Sequence, residues 1–352
     1  MRVLLAGGAG FVGSHTAVSL IEAGHDVAVY DDLSNSSDVA VGRIRQITGR
    51  DVPFRAGDAR DVEFLRSFVR EVGPVDAVIL FAGLKSVEES VRNPLRYYSV
   101  NIGVAVSVLE MMARERISTV IFSSSATVYG NDSSPPYTEG SPAPITLANP
   151  YGKTKRIVEE ILSDAAAASA DMRAISLRYF NPVGAHPSGL LGEDPAGTPT
   201  NLMPFVAKVA AGDLDRVGVF GNDYDTPDGT GQRDFIHVMD LAEGHVSALE
   251  NASRGYSVYN LGTGHPVSVL ELIAAFSQAC GMQIPFEILP RRAGDVAVSY
   301  CDPTKANREL HWRASRSLDD ACRDAWHWQS LNPFGYATAS RANGTAARIG
   351  DI

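Results

Sequence analysis

The chain has 352 residues, 45% hydrophobic and 20% charged, the make-up of a globular protein with material for one or two cores. Its net charge of −10 argues against non-specific nucleic-acid binding but leaves room for an anionic small ligand held by local arginines. Three cysteines, Cys280, Cys301 and Cys322, cannot all pair and show no metal-ligand spacing, so they read as reduced thiols of a cytoplasmic protein with no metal site.

An apolar strand, Val3-Leu4-Leu5-Ala6, begins almost at Met1, which leaves no space for a signal peptide, and no apolar run approaches the roughly 20 residues of a membrane span. The strand enters a turn in which Gly7, Gly10 and Gly13 are spaced Gly-x-x-Gly-x-x-Gly, and a helix follows over residues 11–23. Such glycines permit a tight turn and close backbone approach to a pyrophosphate at a helix N-terminus. The next strand, Val27-Ala28-Val29-Tyr30, ends at Asp31, 18 residues beyond Gly13. An acid there suits a ribose hydroxyl and repels a 2′-phosphate, so NAD is expected and NADP is not.

After a polar stretch over 33–37, a strand is predicted over 52–56, ending at Gly57-Asp58, then a helix over 62–71 and a buried strand over 75–81 running into Ala82-Gly83. A long helix is predicted over 94–116, a strand over 119–123 ending in Ser123-Ser124-Ser125, a helix over 150–168 and a strand over 173–178. This alternation predicts an α/β fold, a Rossmann-like, doubly wound parallel sheet whose ligand lies beyond the strand C-termini, where Asp31, Asp58, Phe81-Ala82-Gly83 and the three serines fall.

Beyond residue 180 proline- and glycine-rich loops dominate over 181–200 and 223–231. They predict a smaller, loop-rich substrate domain over 181–331 following a cofactor domain over 1–180, with strands within 234–238 and 258–261 rejoining the main sheet. Residues 332–352 are small and polar without an apolar period and read as a mobile tail.

The helix over 150–168 carries Tyr151-Gly152-Lys153-Thr154-Lys155, which places a phenol and an ammonium on one face. The charge is expected to lower the phenol pKa towards neutrality, making it a general acid or base. Ser125, at a strand end, can converge with the pair and hydrogen-bond a substrate oxygen, giving a site for alcohol/carbonyl redox beside a nicotinamide. Taken singly, the serines also fit a turn or helix cap, and Tyr151 a packing residue.

Together, Gly7/Gly10/Gly13, Ser125 and Tyr151-x-x-x-Lys155 resemble the extended short-chain dehydrogenase/reductases. Within them the chain is most similar to the UDP-glucose 4-epimerase family, through Phe81-Ala82-Gly83-Leu84-Lys85, Arg178-Tyr179-Phe180-Asn181-Pro182-Val183-Gly184-Ala185-His186-Pro187, Asn201-Leu202-Met203-Pro204, Asp228-Gly229-Thr230-Gly231-Gln232-Arg233-Asp234, Tyr259-Asn260-Leu261-Gly262 and Arg291 to Asp295. The resemblance implies a tightly bound NAD+ against Gly7, Gly10, Phe11, Val12, Gly13, Asp31, Asp32, Leu33, Ser34, Asn35, Ser36, Asp58, Ala59, Phe81, Ala82, Gly83, Leu84, Lys85, Asn101, Ser125, Tyr151, Lys155 and Phe180. Lys85 could equally be a solvated lysine, and Asn101 a structural asparagine.

It further implies a UDP-hexose held by Ser125, Tyr151, Phe180, Asn181, Asn201, Leu202, Gly218, Val219, Phe220, Arg233, Arg292, Asp295 and Ser299. The implied reaction oxidises sugar C4, lets the 4-keto sugar rotate and reduces it on the other face, with Tyr151, Lys155 and Ser125 catalytic. Arg233 and Arg292 could pair with the diphosphate; each alone could be a surface arginine. Family members confined to unacetylated sugars carry tyrosine where this chain has Ser299, so turnover of UDP-GlcNAc and UDP-GalNAc is also expected, unless Tyr300 fills that gate. Related 4,6-dehydratases need an Asp and a Glu beside the strand-end hydroxyl; Ala126-Thr127-Val128 follow Ser125, against dehydration. A net reductase, or a non-catalytic cofactor sensor, are the remaining alternatives. The family forms homodimers through helices matching 94–116 and 150–168, although Val104, Val108, Met111, Ile157 and Ile161 there could equally be core.

Overall fold

The computed structural model describes residues 1–130, 134–144, 147, 149–195, 197, 199, 201–292 and 294–337. The chain alternates β1 (Arg2–Ala6), α1 (Phe11–Glu22), β2 (Asp26–Asp31), α2 (Asp38–Thr48), β3 (Phe54–Ala56), α3 (Val62–Val72) and β4 (Ala77–Leu80). Helix α2 falls outside the sequence expectations, although its ends are marked: Ser37 accepts from the Val39 N–H, and Gly49 closes the helix at φ 69°.

Next come α4 (Val87–Arg92), α5 (Pro94–Tyr97) and α6 (Gly103–Glu115), with a π turn, Tyr98–Ile102, between the last two. The helix expected to run unbroken over 94–116 is thus interrupted. The wider turn buries Asn101, whose side chain bonds the Leu84 backbone and Thr154. Then follow β5 (Thr119–Ser125), a 3₁₀ turn (Ala126–Tyr129), α7 (Pro150–Ala168), β6 (Arg173–Tyr179) and β7 (Asn181–Val183). Strand β5 runs on to Ser125, two residues beyond its expected end at Ser123.

The remainder is α8 (Leu202–Ala210), β8 (Val217–Phe220), β9 (Gln232–Arg233), β10 (Phe235–His237), α9 (Val238–Glu250), β11 (Gly255–Leu261), β12 (Val267–Ser268), α10 (Val269–Cys280), β13 (Phe286–Leu289), β14 (Val298–Ser299), α11 (Thr304–Glu309) and α12 (Leu318–Leu331). None of the described helices is long and apolar enough to cross a membrane.

The main sheet has seven parallel strands in the order β11-β6-β5-β4-β1-β2-β3. Its strands are apolar on both faces because helices cover both. Val3 and Leu5 of β1 pack with residues of α1, α2 and α9, whereas Leu4 and Ala6 pack with residues of α3, α6 and α7. The chain winds outward from β1 through β2 to β3, returns to β4 and winds the other way, so a crevice opens between the ends of β1 and β4.

Strand β11 lies in this sheet, beside β6. The segment around Asp234–Val238 does not: β10 pairs with β7 in a separate two-stranded sheet, because the chain leaves the main sheet at Phe180. A further core joins α8, α10, α12 and β8 through Met203, Val206, Phe276, Val219 and Ala325. Val104, Val108 and Met111 are buried against the sheet and present no free face.

The expected tail also needs correction at its start. Asn332 and Tyr336 are buried; Arg43 donates to the Asn332 Oδ1 at 2.7 Å and lies over the Trp328 and Tyr336 rings, at 5.2 and 5.1 Å. The Tyr336 N–H donates to Asp194 at 2.8 Å. One aromatic side chain anchors a segment whose composition reads as polar. Residues 338–352 lie outside those described.

Candidate active site

The glycine turn sits at the β1/β4 crevice, and each glycine has a different neighbour. A Cβ on Gly7 (φ 85°) would lie 2.4 Å from the Ala82 backbone nitrogen, and one on Gly13 would lie 2.6 Å from the Gly7 carbonyl oxygen. These two residues are glycine so that turn, helix and neighbouring strand can close on one another. Gly10 differs: its nearest neighbour would be the Gly7 oxygen at 3.6 Å, so its bare face looks onto open space at the start of α1, which has no side-chain cap. A Cβ would fill that cradle, which has the form expected for an anionic phosphate at a helix N-terminus.

Asp31, at the end of β2, is buried and stitches the turn to the next loop. Its carboxylate accepts from the Ala9 N–H at 2.9 Å, the Leu33 N–H at 3.0 Å and the Ser36 hydroxyl at 2.7 Å. These bonds support Leu33 in a left-handed conformation, φ 59°. Asp32 accepts in turn from the Ser34 backbone and hydroxyl, and Asn35 lies within the same loop. Asp58 is taken up by Arg60, whose hydrogen bonds hold the carboxyl below its ordinary range; Ala59 beside it is buried.

On the far side of the crevice, the Phe81 and Ala82 N–H groups both donate to the Ala6 carbonyl at 2.8 Å. Asn101 clamps the following loop, accepting from the Leu84 N–H at 2.7 Å and donating to the Leu84 carbonyl and the Thr154 hydroxyl. Its side chain is thus engaged with protein groups, the structural of its two sequence readings. Gly83 lies against it, 3.1 Å separating its would-be Cβ from the Asn101 Oδ1. Lys85 reaches across to Glu193 at 3.1 Å, and the Asn201 amide donates to the same Glu193 oxygen at 2.9 Å. Glu193 therefore ties a residue expected at the cofactor to one expected at the sugar. No sequence motif singled it out; its only signal is an acid inside a glycine-rich loop.

Ser125, Tyr151 and Lys155 come together where β5 ends against the first turns of α7. That helix starts by Asn149 capping the Gly152 N–H at 2.8 Å, with Pro150 at its first position. Ser125 lies close enough to the Tyr151 phenol to favour its ionised form. The Lys155 ammonium donates to the Ser123 carbonyl at 2.7 Å and lies 5.8 Å from the Tyr151 ring centre and 4.8 Å from that of Phe122.

The expected lowering of the phenol pKa is not what the protein alone produces. Burial raises Tyr151 above its ordinary value and outweighs the opposing effect of Ser125. Lys155 is aimed at the Ser123 carbonyl rather than the phenol. It is itself held down at about 8 by burial, which the charge of Glu159 opposes.

On the other half, Phe180 is buried among Val128, Tyr129, Tyr137 and Cys301, and the Asn181 N–H donates to the Asp234 carbonyl. Leu202 opens α8, and Gly218, Val219 and Phe220 form β8 against β13. A Cβ on Gly218 would lie 2.8 Å from Leu289, and Val219 is core. The Arg292 guanidinium stacks 3.6 Å from the centre of the Phe220 ring. Arg233 donates to the Gln232 and Val296 carbonyls and lies 3.8 Å from Asp295. Ser299 is the cross-strand partner of Arg233 and shares its face of the small sheet; Tyr300 lies just beyond β14, its carbonyl accepting from the Tyr137 N–H at 2.9 Å.

A family model for the NAD dependent epimerase/dehydratase family matches residues 3–262. The UDP-glucose 4-epimerase of Dictyostelium discoideum is 51% identical over 96% of this chain and 98% of its own. The crystal structure of the Bifidobacterium longum UDP-glucose 4-epimerase in complex with NAD+ and UDP is 49% identical, with a TM-score of 0.92 over 95% of this chain and all of that one. That of the Stenotrophomonas maltophila enzyme, with bound NAD and formylated UDP-arabinopyranose, is 48% identical, with a TM-score of 0.90 over 99% of this chain. With its glycine crevice, its serine-tyrosine-lysine cluster and near full-length identity of about one half to such enzymes, the chain belongs to the NAD dependent epimerase/dehydratase family, in its UDP-glucose 4-epimerase branch.

Proposed function

We propose that this chain binds NAD+ and interconverts UDP-glucose and UDP-galactose by inverting C4 of the hexose. The observation that carries the reading is the meeting of Ser125, Tyr151 and Lys155 at the C-terminal edge of the sheet, the edge that also carries the glycine turn with the open face of Gly10. The residues fit the cofactor: the open face of Gly10 would leave room for its phosphates, Asp31 would take a ribose hydroxyl, and Phe81 to Lys85 with Asp58 would line the remainder. When bound, NAD+ would supply the acceptor and donor of the C4 hydride, and its positive charge would favour the phenolate.

The chain's own groups then have defined tasks. Tyr151, as phenolate, takes the proton of the 4-hydroxyl and later returns it. Ser125 hydrogen-bonds that same oxygen and orients it. Lys155 keeps a cation behind the phenol. Arg233 and Arg292 hold the diphosphate, the Arg233–Asp295 pair opening so that Asp295 meets the uridine ribose. Asn181 and Asn201 hold the sugar end loosely enough for it to turn. Ser299, a small side chain on the Arg233 face, leaves space for an acetamido group, so UDP-GlcNAc and UDP-GalNAc are substrates too.

The cofactor half comprises residues 1–180 with α9 and β11, and the sugar-nucleotide half the rest of 181–331. The enzyme works in the cytoplasm, consistent with three free cysteines, and as a homodimer. Val91 is 61% exposed and Leu95 82%, and with Ile157 and Ile161 they supply apolar surface on α4, α5 and α7 for a second copy; light scattering giving the mass of one chain would refute this. The main test is purified protein with UDP-galactose and no added NAD. Formation of UDP-glucose is expected; no turnover even with NAD supplied would favour a non-catalytic sensor.

A further inference from the structure

Behind the cluster just described lies a buried charge with no part in the chemistry so far. Glu159 follows Lys155 by four residues on the same face of α7, and its side chain has no exposure to solvent. A bare carboxylate there would be very unfavourable, so its partners matter. It accepts from the Ser124 hydroxyl at 2.6 Å, the Arg178 Nε at 2.9 Å and the Arg178 Nη2 at 2.7 Å, and Arg156 lies 3.7 Å away. The bidentate fork fixes the carboxylate in one orientation.

Ser124 and Arg178 are register partners on β5 and β6, so Glu159 sits over one rung of the sheet. Two successive residues of β5 are thereby tied to α7, the Ser123 carbonyl to Lys155 and the Ser124 hydroxyl to Glu159, and the next, Ser125, lies near Tyr151. The rung continues sideways. The Arg178 guanidinium lies 4.8 Å from the Tyr129 ring centre, the Tyr129 hydroxyl donates to Asn260 at 2.6 Å, and Asn260 is the register partner of Arg178 on β11.

We propose that Glu159 is a positioning residue of the reaction: its buried carboxylate, locked by Ser124 and Arg178, sets the spacing of α7 from β5 and keeps Lys155 in its charged form. The inference rests on the function proposed above. The charged and titratable groups against Lys155 are Tyr151 and Glu159 on its own helix, with Arg178 of β6 one step further, paired to Glu159. Among the described residues Glu159 supplies the negative charge that acts on it, and that charge works against the burial that lowers the ammonium pKa. Removing the charge lowers that pKa further, so Lys155 becomes neutral at a lower pH.

The experiment is the pH profile of kcat for UDP-galactose turnover, with UDP binding measured alongside. Wild type is run first: absence of turnover there refutes the proposed function, not this inference. Glu159→Gln is expected to move the falling alkaline limb to lower pH by about one unit, with UDP affinity within about twofold of wild type. Glu159→Asp keeps the charge on a shorter arm, so its limb stays in place while kcat falls about tenfold through displaced geometry. A folded Glu159→Gln protein whose limb does not move, or one in which both variants move alike, overturns the proposal. If Glu159→Gln does not fold, Ser124→Ala is decisive, because it removes one of the carboxylate's bonds while the Arg178 fork keeps the charge in place. Its kcat must fall with the limb unmoved, and an unchanged kcat or a moved limb overturns the proposal.

Discussion

Gly10 and Gly13 are both glycines of one turn, three residues apart, yet the structure assigns them different work, and alanine at each tests that assignment. At position 13 the new Cβ would lie 2.6 Å from the Gly7 oxygen and 2.8 Å from the Gly8 Cα, both backbone atoms that cannot swing aside. Overpacking of this kind costs about 1–3 kcal/mol, and rigid neighbours place Gly13→Ala at about 3. At position 10 the nearest atom would be 3.6 Å away and φ is −73°, open to any residue. Alanine caps a helix less well than glycine, at a cost of several tenths of a kcal/mol. It also restricts the unfolded chain, which returns about 0.4–1 kcal/mol.

That last gain applies at both positions and cancels, so the two variants should differ by about 2.5 kcal/mol in unfolding free energy, roughly a 70-fold difference in the folding equilibrium. Both should lose NAD: Gly13→Ala because the turn is deformed, Gly10→Ala because the methyl occupies the phosphate cradle. The assay is urea unfolding of both cofactor-free proteins, paired with the amount of NAD carried through gel filtration. Equal stability of the two variants would refute the packing argument. Wild-type cofactor retention by Gly10→Ala would refute the placement of the phosphates.

Other expectations follow from the same site. Tyr151→Phe should lower kcat by at least about 10³-fold while UDP affinity, measured by calorimetry, changes less than twofold; equal losses in both would remove the phenol from proton transfer. Ser299→Tyr should suppress turnover of UDP-GalNAc selectively, and equal loss on UDP-galactose would place the acetamido group elsewhere. His15 and His245 are fully buried and their pKa values are lowered by burial to about 3 and about 4. Both are neutral in the folded protein, so the unfolded chain takes up more protons below its ordinary histidine pKa near 6.5. The stability from keeping them neutral is complete above that value and declines as pH falls towards 4, by about 1.4 kcal/mol per unit for each histidine. A urea midpoint unchanged between pH 7 and pH 5 would contradict this.

Much of the molecule was legible in the order of its residues because the signals were local. Apolar runs buried on both faces, a glycine turn and an acid at the next strand end are short-range patterns, and β1, α1 and β2 follow them closely. So does the face shared by Tyr151 and Lys155, since helical period alone brings positions i and i+4 together. Tertiary structure decided what local pattern could not. The direction of the Tyr151 pKa depends on burial against the ammonium's aim, and that aim is set by a carbonyl 32 residues away. The break at Tyr98–Ile102 exists because Asn101 reaches a loop 17 residues earlier. The end of the described chain is held by Tyr336 against Arg43 and Asp194, partners distant in sequence, so composition alone misread it. Glu159 and Glu193 gain their meaning only from partners on other elements, because burial and pairing of a charge are properties of the assembled fold.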